Sequence, residues 1–396
     1  MANTTLTADL ILKEAHRLFK NNTPFLQGMY RDYDNTYEAY GAKSGDSVRI
    51  RKPMQYQVRT GKTTNVQDNI ESSVTLAKTT QKGIDLKFSS AELTQDINRF
   101  SELYVVPAIN ALASNIENDI MTQAVNATYS QVGTQGTDPA SFLVHTQAGA
   151  KLTNFSTPND TMRSNVLNPN GMATTVDALK GLFQDSTKIR DQYVNAQMGT
   201  GLGFEFAETP NVPTHTNGTS NGAYVVDGAS QVGSLILVKT GAGTWTKGDV
   251  ITFAGVNALN PTTKVSLGSL AQFVVTTNYA GGAGSVQISP AIVTSGALQN
   301  VTASPANLAV IAEPTGWVAG ATNAMNLAYH KNAFAFGTVD LDMPPVNYKA
   351  RQVVDGISMR LVGDYDVIND DVIYRLDILY GFIAVTPEWS CRIAGK

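Results

Sequence analysis

Residues capable of chemistry are few in this 396-residue chain, and they lie far apart. The four histidines, His16, His145, His215 and His330, show no i, i+4 spacing that would set two imidazoles on one helix face for a metal. They read as packing or surface residues. The run Gly199-Thr200-Gly201-Leu202-Gly203 leads into Phe204-Glu205-Phe206, a strand pattern, whereas a phosphate cradle needs a helix N-terminus. No phosphate-binding loop with Lys and Ser/Thr, no serine elbow and no zinc-protease helix occurs. Asp364, Asp366, Asp370 and Asp371 form the best cation candidate. Their spacing lacks the central Gly and distal Glu of a calcium loop, so a solvated turn is expected. Arg49, Arg51, Lys52, Arg59 and Lys62 could meet phosphate, but they sit on an alternating strand with no aromatic stacking platform. They read as one side of intersubunit ion pairs, and Asp68 and Glu71 in the same stretch join them as contact candidates. No catalytic constellation emerges, and neither enzymatic activity nor a cofactor is expected.

Composition narrows the class further. Only 16% of residues are charged, and the net charge is −4. Proteins that grip nucleic acid usually carry a clustered basic excess, so tight DNA binding is disfavoured. A container whose walls do not hold DNA fits this balance. The single cysteine, Cys391, excludes an intrachain disulfide or a thiolate cluster. The first residues lack the basic start and apolar stretch of a signal peptide, and no apolar run approaches the ~20 residues of a membrane span. A soluble protein made in a reducing cytoplasm is expected.

The elements that would position these residues form a mixed α+β chain. Leu10, Ile11, Ala15, Leu18 and Phe19 recur at helical spacing, a short amphipathic helix ended by Asn21-Asn22-Thr23-Pro24. So short a helix is marginal alone, and its apolar stripe must dock on its own body or on a partner chain. Residues 46–88 read as a long two-stranded excursion. Val48 and Ile50 alternate with Arg49 and Arg51, and alternation resumes at Val74–Leu76 and Ile84–Phe88 beyond a polar tip. An isolated hairpin of this kind is barely stable in water, so it is expected to lie across another subunit. Ser89 and Glu92 have capping-box spacing for a helix. After Pro107 comes the strongest helix signal. Ile109, Leu112, Ala113, Ile116, Ile120, Ala124 and Val125 share one face, and Asn110, Ser114, Glu117, Asn118 and Asn126 the other. Strand and helix alternate over 163–206, with a helix from Val176 to about Ile189. Between Pro213 and Thr315 charges become sparse and short alternating strands are separated by Gly and Asn turns, which predicts a small all-β barrel or sandwich. Ala321–His330 reads as helix, then Gly356–Leu361 and Val372–Ala384 as strands.

Several segments resemble one known family in its own order. They are Arg31-Asp32-Tyr33-Asp34 with Gly41–Pro53, Gln81–Ile84 with Phe88–Leu93, Leu202-Gly203-Phe204 with Asn211–Thr216, Asn326–Ala335, and Asp364-Tyr365-Asp366 with Arg375–Gly381. The family is that of the major capsid (coat) proteins of short-tailed double-stranded DNA phages carrying an inserted β domain. The resemblance implies the tailed-phage and herpesvirus capsid fold. In it, 1–36 would be an N-terminal arm, 37–88 an extended loop, 89–160 a peripheral domain with a spine helix, 161–212 the first part of an axial domain, 213–315 an inserted immunoglobulin-like or barrel domain, and 316–396 the C-terminal part. It implies hexamers and pentamers closing into an icosahedral procapsid that matures around double-stranded DNA bound without sequence specificity. It also implies scaffolding and portal proteins as partners, assembly in the host cytoplasm and residence in the virion capsid. Leu10, Ile11, Leu18 and Phe19 become arm-docking candidates. One departure stands out: the stretch Asp227–Ser234, where relatives carry a charged loop bridging capsomers, is short and holds one charge. Two other readings compete, a bacterial nanocompartment shell of the same fold and a β-rich surface adhesin.

Overall fold

The computed structural model describes residues 8–30, 47–56, 58–59, 61–64, 66, 72–89, 106–179, 198–346 and 348–396. The chain opens with α1 (Ala8–Asn21), α2 (Pro24–Gln27), β1 (Ser47–Arg51), β2 (Ser73–Ala77), β3 (Thr80–Ser89) and α3 (Val106–Ala127). Then come β4 (Gln131–Val132), α4 (Phe142–Asn154), β5 (Arg163–Leu167), α5 (Pro169–Leu179), β6 (Thr200–Gly201), β7 (Phe204–Glu208) and β8 (Thr214–Thr216). A strand-only stretch follows: β9 (Val225–Val226), β10 (Gly233–Lys239), β11 (Val250–Leu259), β12 (Ser266–Val275), β13 (Gly284–Ile292) and β14 (Ile311–Ala312). The chain ends with β15 (Thr322–His330), β16 (Phe334–Val339), β17 (Tyr348–Val354), β18 (Ile357–Asp366), β19 (Asp371–Ala384) and β20 (Ser390–Ala394).

The chain divides into two compact units. The first comprises Met1–Ile50, Val74–Ile120 and Phe334–Ile383, and the second Arg51–Ser73, Met121–Ala333 and Ala384–Lys396. The first unit is built on a five-stranded sheet in the order β16-β19-β18-β17, with β3 also paired to β19; β17, β18, β19 and β3 pair antiparallel. The pairing of β3 corrects the reading of 46–88 as one excursion. β1 pairs with β2, and the return arm ends at Ala77, after which β3 enters the sheet in unbroken register from Asp371↔Ser89 to Tyr380↔Thr80. Ile84, Leu86 and Phe88 supply an apolar face, and a sheet with a core satisfies it where a hairpin in water would not. The base of the excursion is pinned by two glycines. At Gly381 a Cβ would overlap the Ala77 carbonyl, and at Gly337 it would press on Leu76 and Lys78.

The second unit holds a sheet ordered β4-β20-β15-β5-β7-β6, with β8 on β15. Its core gathers Leu152, Leu167, Met172, Phe204, Phe206, Ala328 and Ile393. Central β15 overturns the helix expected over Ala321–His330. Residues 323–330 are all buried, so the segment lacks the alternation that marks a half-buried strand. An apolar run of this length does not separate a buried helix from a buried strand by period alone. The helix expected from Val176 begins earlier, at Pro169, and residues 180–189 lie outside those described, as does the stretch opened by Ser89 and Glu92.

Residues 218–312 close into a barrel. The hydrogen-bonded order is β14-β11-β12-β13-β10-β9, and Val226 N–H donates to Ala309 O while Ile311 N–H donates to Tyr224 O, joining the last strand back to the first. Closure removes the free edges along which sheets aggregate. Tyr224, Trp245, Phe253, Phe273 and Ile311 fill the interior, with the Tyr224 and Trp245 rings 4.4 Å apart.

Candidate intersubunit surfaces

The histidines do not converge. His16 reaches the carbonyls of Leu12 (2.9 Å) and Ile357 (3.0 Å). His145 lies between Thr175 Oγ1 and Asn165 Nδ2, each at 3.1 Å. His215 meets Asp249 at 2.7 Å, and His330 meets Asp160 at 3.2 Å. Each is held by structural partners within its own unit. Asp249 is fully buried and also accepts from Thr246 N–H (2.7 Å) and Gly218 N–H (3.1 Å), fixing the entry to the barrel. Beside it, the buried Arg392 guanidinium donates to Gly248 O at 2.6 Å. Burial pushes the Cys391 thiol up to about 12, which suits a packing residue rather than a nucleophile. Leu202 and Gly203 make the left-handed turn between β6 and β7, and Gly199 takes a left-handed conformation just ahead of β6.

The acidic cluster is spent on a hairpin turn. Asp366 accepts from Ile368 N–H (2.9 Å) and Asn369 Nδ2 (2.7 Å), Asp370 accepts from the Tyr365 hydroxyl (2.7 Å), and Asp371 pairs with Lys87 (2.6 Å). These bonds hold the Asp366 carboxyl below its usual range, with the Asn369 bond the largest cause. Among the described residues no group of three or more His, Cys, Asp or Glu could hold a metal, and no helix is long and apolar enough to cross a membrane.

What remains are surfaces. On β1, Val48 and Ile50 are buried while Arg49 and Arg51 face outward, so the sequence alternation decides which side chains a neighbour could meet. Lys52 N–H bonds Ser72 O (2.9 Å) and holds the two arms together where the strands end. Beyond it Arg59 turns inward on its own loop, donating to the carbonyls of Gly61 and of Thr63 (3.2 Å). Lys62 is exposed. Asp68 and Glu71 lie outside the described residues. Tyr56, Val58 and Val66 are exposed on the same excursion. The charge count drew attention away from them, although large exposed apolar groups are what a contact surface needs.

On α1, Ile11, Leu12, Ala15 and Phe19 are buried and Leu18 is half-buried; the Leu10 side chain lies outside the described residues. The helix packs on β17 and β18 of its own unit. Lys20 pairs with Asp355 at 2.6 Å. The inward face takes in Leu12 and His16 beside Ile11, Ala15 and Phe19, and the Ile357 carbonyl of the sheet gives the His16 ring a partner. Glu117 also departs from the sequence reading. It is fully buried, and its carboxylate accepts from Phe25 N–H (2.9 Å), a backbone donor in the first turn of α2.

These surfaces sit on a scaffold that a model of the P22 coat protein (gene protein 5) matches over residues 1–395. The chain belongs to the P22 coat protein family. It is a major capsid protein of tailed double-stranded DNA phages, a structural subunit that forms the phage shell with other copies of itself. No curated protein matches the sequence. Among solved structures, a chain of Mycobacterium phage Che8 is 14% identical, with 94% of this chain and 91% of that one covered and a TM-score of 0.50. The capsid of cyanophage P-SCSP1u gives 10% identity, coverage of 90% and 85%, and a TM-score of 0.44. The mature capsid of bacteriophage PhiM1 gives 9%, coverage of 88% and 82%, and 0.44. The first shows a shared fold, that of tailed-phage capsid proteins, and P22 coat family membership rests on the match along the whole chain.

Proposed function

We propose that this coat subunit builds an icosahedral procapsid in the host cytoplasm with scaffolding and portal proteins, and that the shell then matures around double-stranded DNA without binding it by sequence. The match over residues 1–395 carries the proposal. On this reading residues 1–36 form the arm, 37–88 the extended loop, 89–160 the peripheral domain, 161–212 and 316–396 the axial and remaining parts, and the barrel within 213–315 the family's inserted domain. On this reading the subunit is structural and carries out no enzymatic step. The charge balance supports a passive wall, because a net charge of −4 gives packaged DNA little to hold.

The excursion between β1 and β2 supports contact between copies. It leaves Tyr56, Val58, Lys62 and Val66 exposed. Arg49, Arg51, Lys52, Arg59, Lys62, Asp68 and Glu71 are the charged groups proposed to meet neighbours there, and Leu10, Ile11, Leu18 and Phe19 are proposed to hold the arm. Deleting residues 56–69 should leave a folded subunit that no longer gives stable shells by sedimentation and electron microscopy. Normal shells from that variant would remove the excursion's role, and an intact subunit that never forms shells with its scaffolding partner would overturn the assembly reading itself.

A further inference from the structure

The barrel carries an apolar face that no other described residue of the chain covers. On β10, Leu235 and Leu237 point outward between buried Ile236 and Val238. Asp227 N–H donates to Leu237 O (2.8 Å), Lys239 is paired with Val225, and Val225 bridges Val310, while Leu308 N–H donates to Val226 O (3.0 Å). Side chains alternate across a strand, so these pairings put Leu235, Leu237, Val225 and Val310 on one outer surface, beside the turn that carries the exposed Leu308. Leu235, Leu237, Leu308 and Val310 are between 51% and 60% exposed. The charges inside the patch cancel each other, since Lys239 Nζ reaches Asp227 Oδ1 at 2.6 Å.

We infer that this face is a contact between copies of the chain in the assembled shell, with Leu237 at its centre. The inference rests on shell assembly and adds a site and its chemistry. Three observations select a second copy as the occupant. The cis pairing of Asp227 and Lys239 leaves no net charge to recruit a charged partner. The exposed apolar area is on the order of 400 Å², about half of the ~800 Å² per partner that a stable complex in solution needs. A patch of that size does not dimerise free subunits, but it contributes once other contacts hold copies side by side. A shell-forming chain also brings the same surface to every neighbour, so an apolar patch can meet its own image.

Thiol labelling tests this in the full chain, because the native Cys391 is buried and contributes no background. Leu237→Cys should react with a maleimide at least tenfold more slowly in shells assembled from the chain than in free subunits. On oxidation, those shells should yield a disulfide-linked dimer that free subunits at equal concentration do not. Leu298→Cys, on another exposed loop of the barrel, should label equally fast in both states. Leu237→Asp should unfold like the parent chain yet lose about tenfold in shell yield. A folded Leu237→Cys subunit that fails to form shells while Leu298→Cys forms them also counts for the inference. Equal labelling of Leu237→Cys in shells and subunits overturns it, as does equal protection of both cysteines. Protection found only in whole virions assigns the face to a different virion protein and likewise overturns it. Shells that form normally with an unprotected Leu237→Cys would sink this contact and leave the assembly proposal standing.

Discussion

His145 should make the second unit lose stability as pH falls below neutrality. Its ring is carried by α4 and packs edge-on against Phe206, with centroids 5.5 Å apart. Asn165 Nδ2 is a donor, so Nδ1 of His145 must accept, which places the ring proton on Nε2, donating to Thr175 Oγ1. Thr175 in turn donates to Gly171 O at 2.6 Å. A second proton would have to enter at Nδ1, facing the Asn165 amide hydrogens, and burial already pushes the pKa from 6.5 down to about 4. The unfolded chain therefore takes up a proton near pH 6.5 that the folded chain refuses until about pH 4. The contribution is complete above the unfolded value and is lost on acidification through that window. At about 1.4 kcal/mol per pKa unit, the loss between pH 7 and pH 4.5 is roughly 2.5 kcal/mol. All three tryptophans, Trp245, Trp317 and Trp389, belong to the same unit as His145, so urea unfolding followed by their fluorescence reports on it. His145→Gln keeps hydrogen-bonding groups without a titratable proton. The parent chain should lose about 2 kcal/mol more than this variant between the two pH values. An equal loss in both, or an imidazole that titrates in the folded protein near its ordinary value, would refute the argument.

Three further outcomes follow from the first unit. Phe19→Ala removes a buried aromatic from α1 and should cost about 3–5 kcal/mol, so amide exchange in α1 should accelerate by two to three orders of magnitude (roughly, at 1.4 kcal/mol per factor of ten), capped by the helix's own opening free energy; unchanged protection would show that the dock is held elsewhere. Asp377→Ala strands Arg360, now bonded at 2.6 Å, and releases Arg375 at 2.8 Å. Because Arg375 is half exposed, the cost should be about 2–4 kcal/mol rather than the upper value for a fully buried pair, read as faster exchange in β3, β18 and β19, and less than a threefold change would contradict it. Gly381→Ala should drive β2 off β19 at a cost of about 1–3 kcal/mol, exposing the excursion to proteolysis while tryptophan-detected unfolding of the second unit stays unchanged; an unaltered digestion pattern would contradict the close approach at Ala77.

What the sequence made legible was whatever one residue period decides alone. The 22-residue helix Val106–Ala127, the helix Ala8–Asn21 and the all-β stretch each bury one face at one spacing, and each was readable from that spacing. The misreadings fall where the environment on both sides determines the outcome. β15 is buried on both faces and so carries no alternation. Glu117 looked like a solvent-facing residue because its partner, the Phe25 N–H, lies 92 positions earlier in the chain. The pairing of β3 with β19 joins residues almost 300 positions apart, and no local pattern distinguishes it from a hairpin return. The candidate surfaces divide in the same way. Outward arginines on β1 follow from alternation, but the apolar face of the barrel depends on which strands become neighbours.

That division bears on how a shell subunit can be specified. Its internal contacts must close unambiguously, and this chain encodes them with long registers, close approaches at glycine and buried polar bonds that admit few substitutes. Contacts between copies must satisfy the opposite demand. A subunit with several neighbours needs only a few kcal/mol from each contact, since binding one neighbour raises the effective concentration of the next. Much stronger contacts would fix a wrongly placed copy before it could leave, because affinity differences act mainly on dissociation. An apolar patch of about half the usual interface area with an ion pair closed within it fits this regime. So does an excursion whose Arg59 is partly engaged by its own loop. The sparse charge of the barrel then has a physical consequence: with few unpaired charges on its surface, its association should depend weakly on salt, unlike that of a subunit joined by exposed ion pairs. Shell yield of the parent chain should therefore change less than that of Leu237→Asp as ionic strength rises, because only the variant adds a charge facing its own image. A steep loss of parent shells with salt would mean that the ion pairs of the excursion, not the barrel face, dominate assembly.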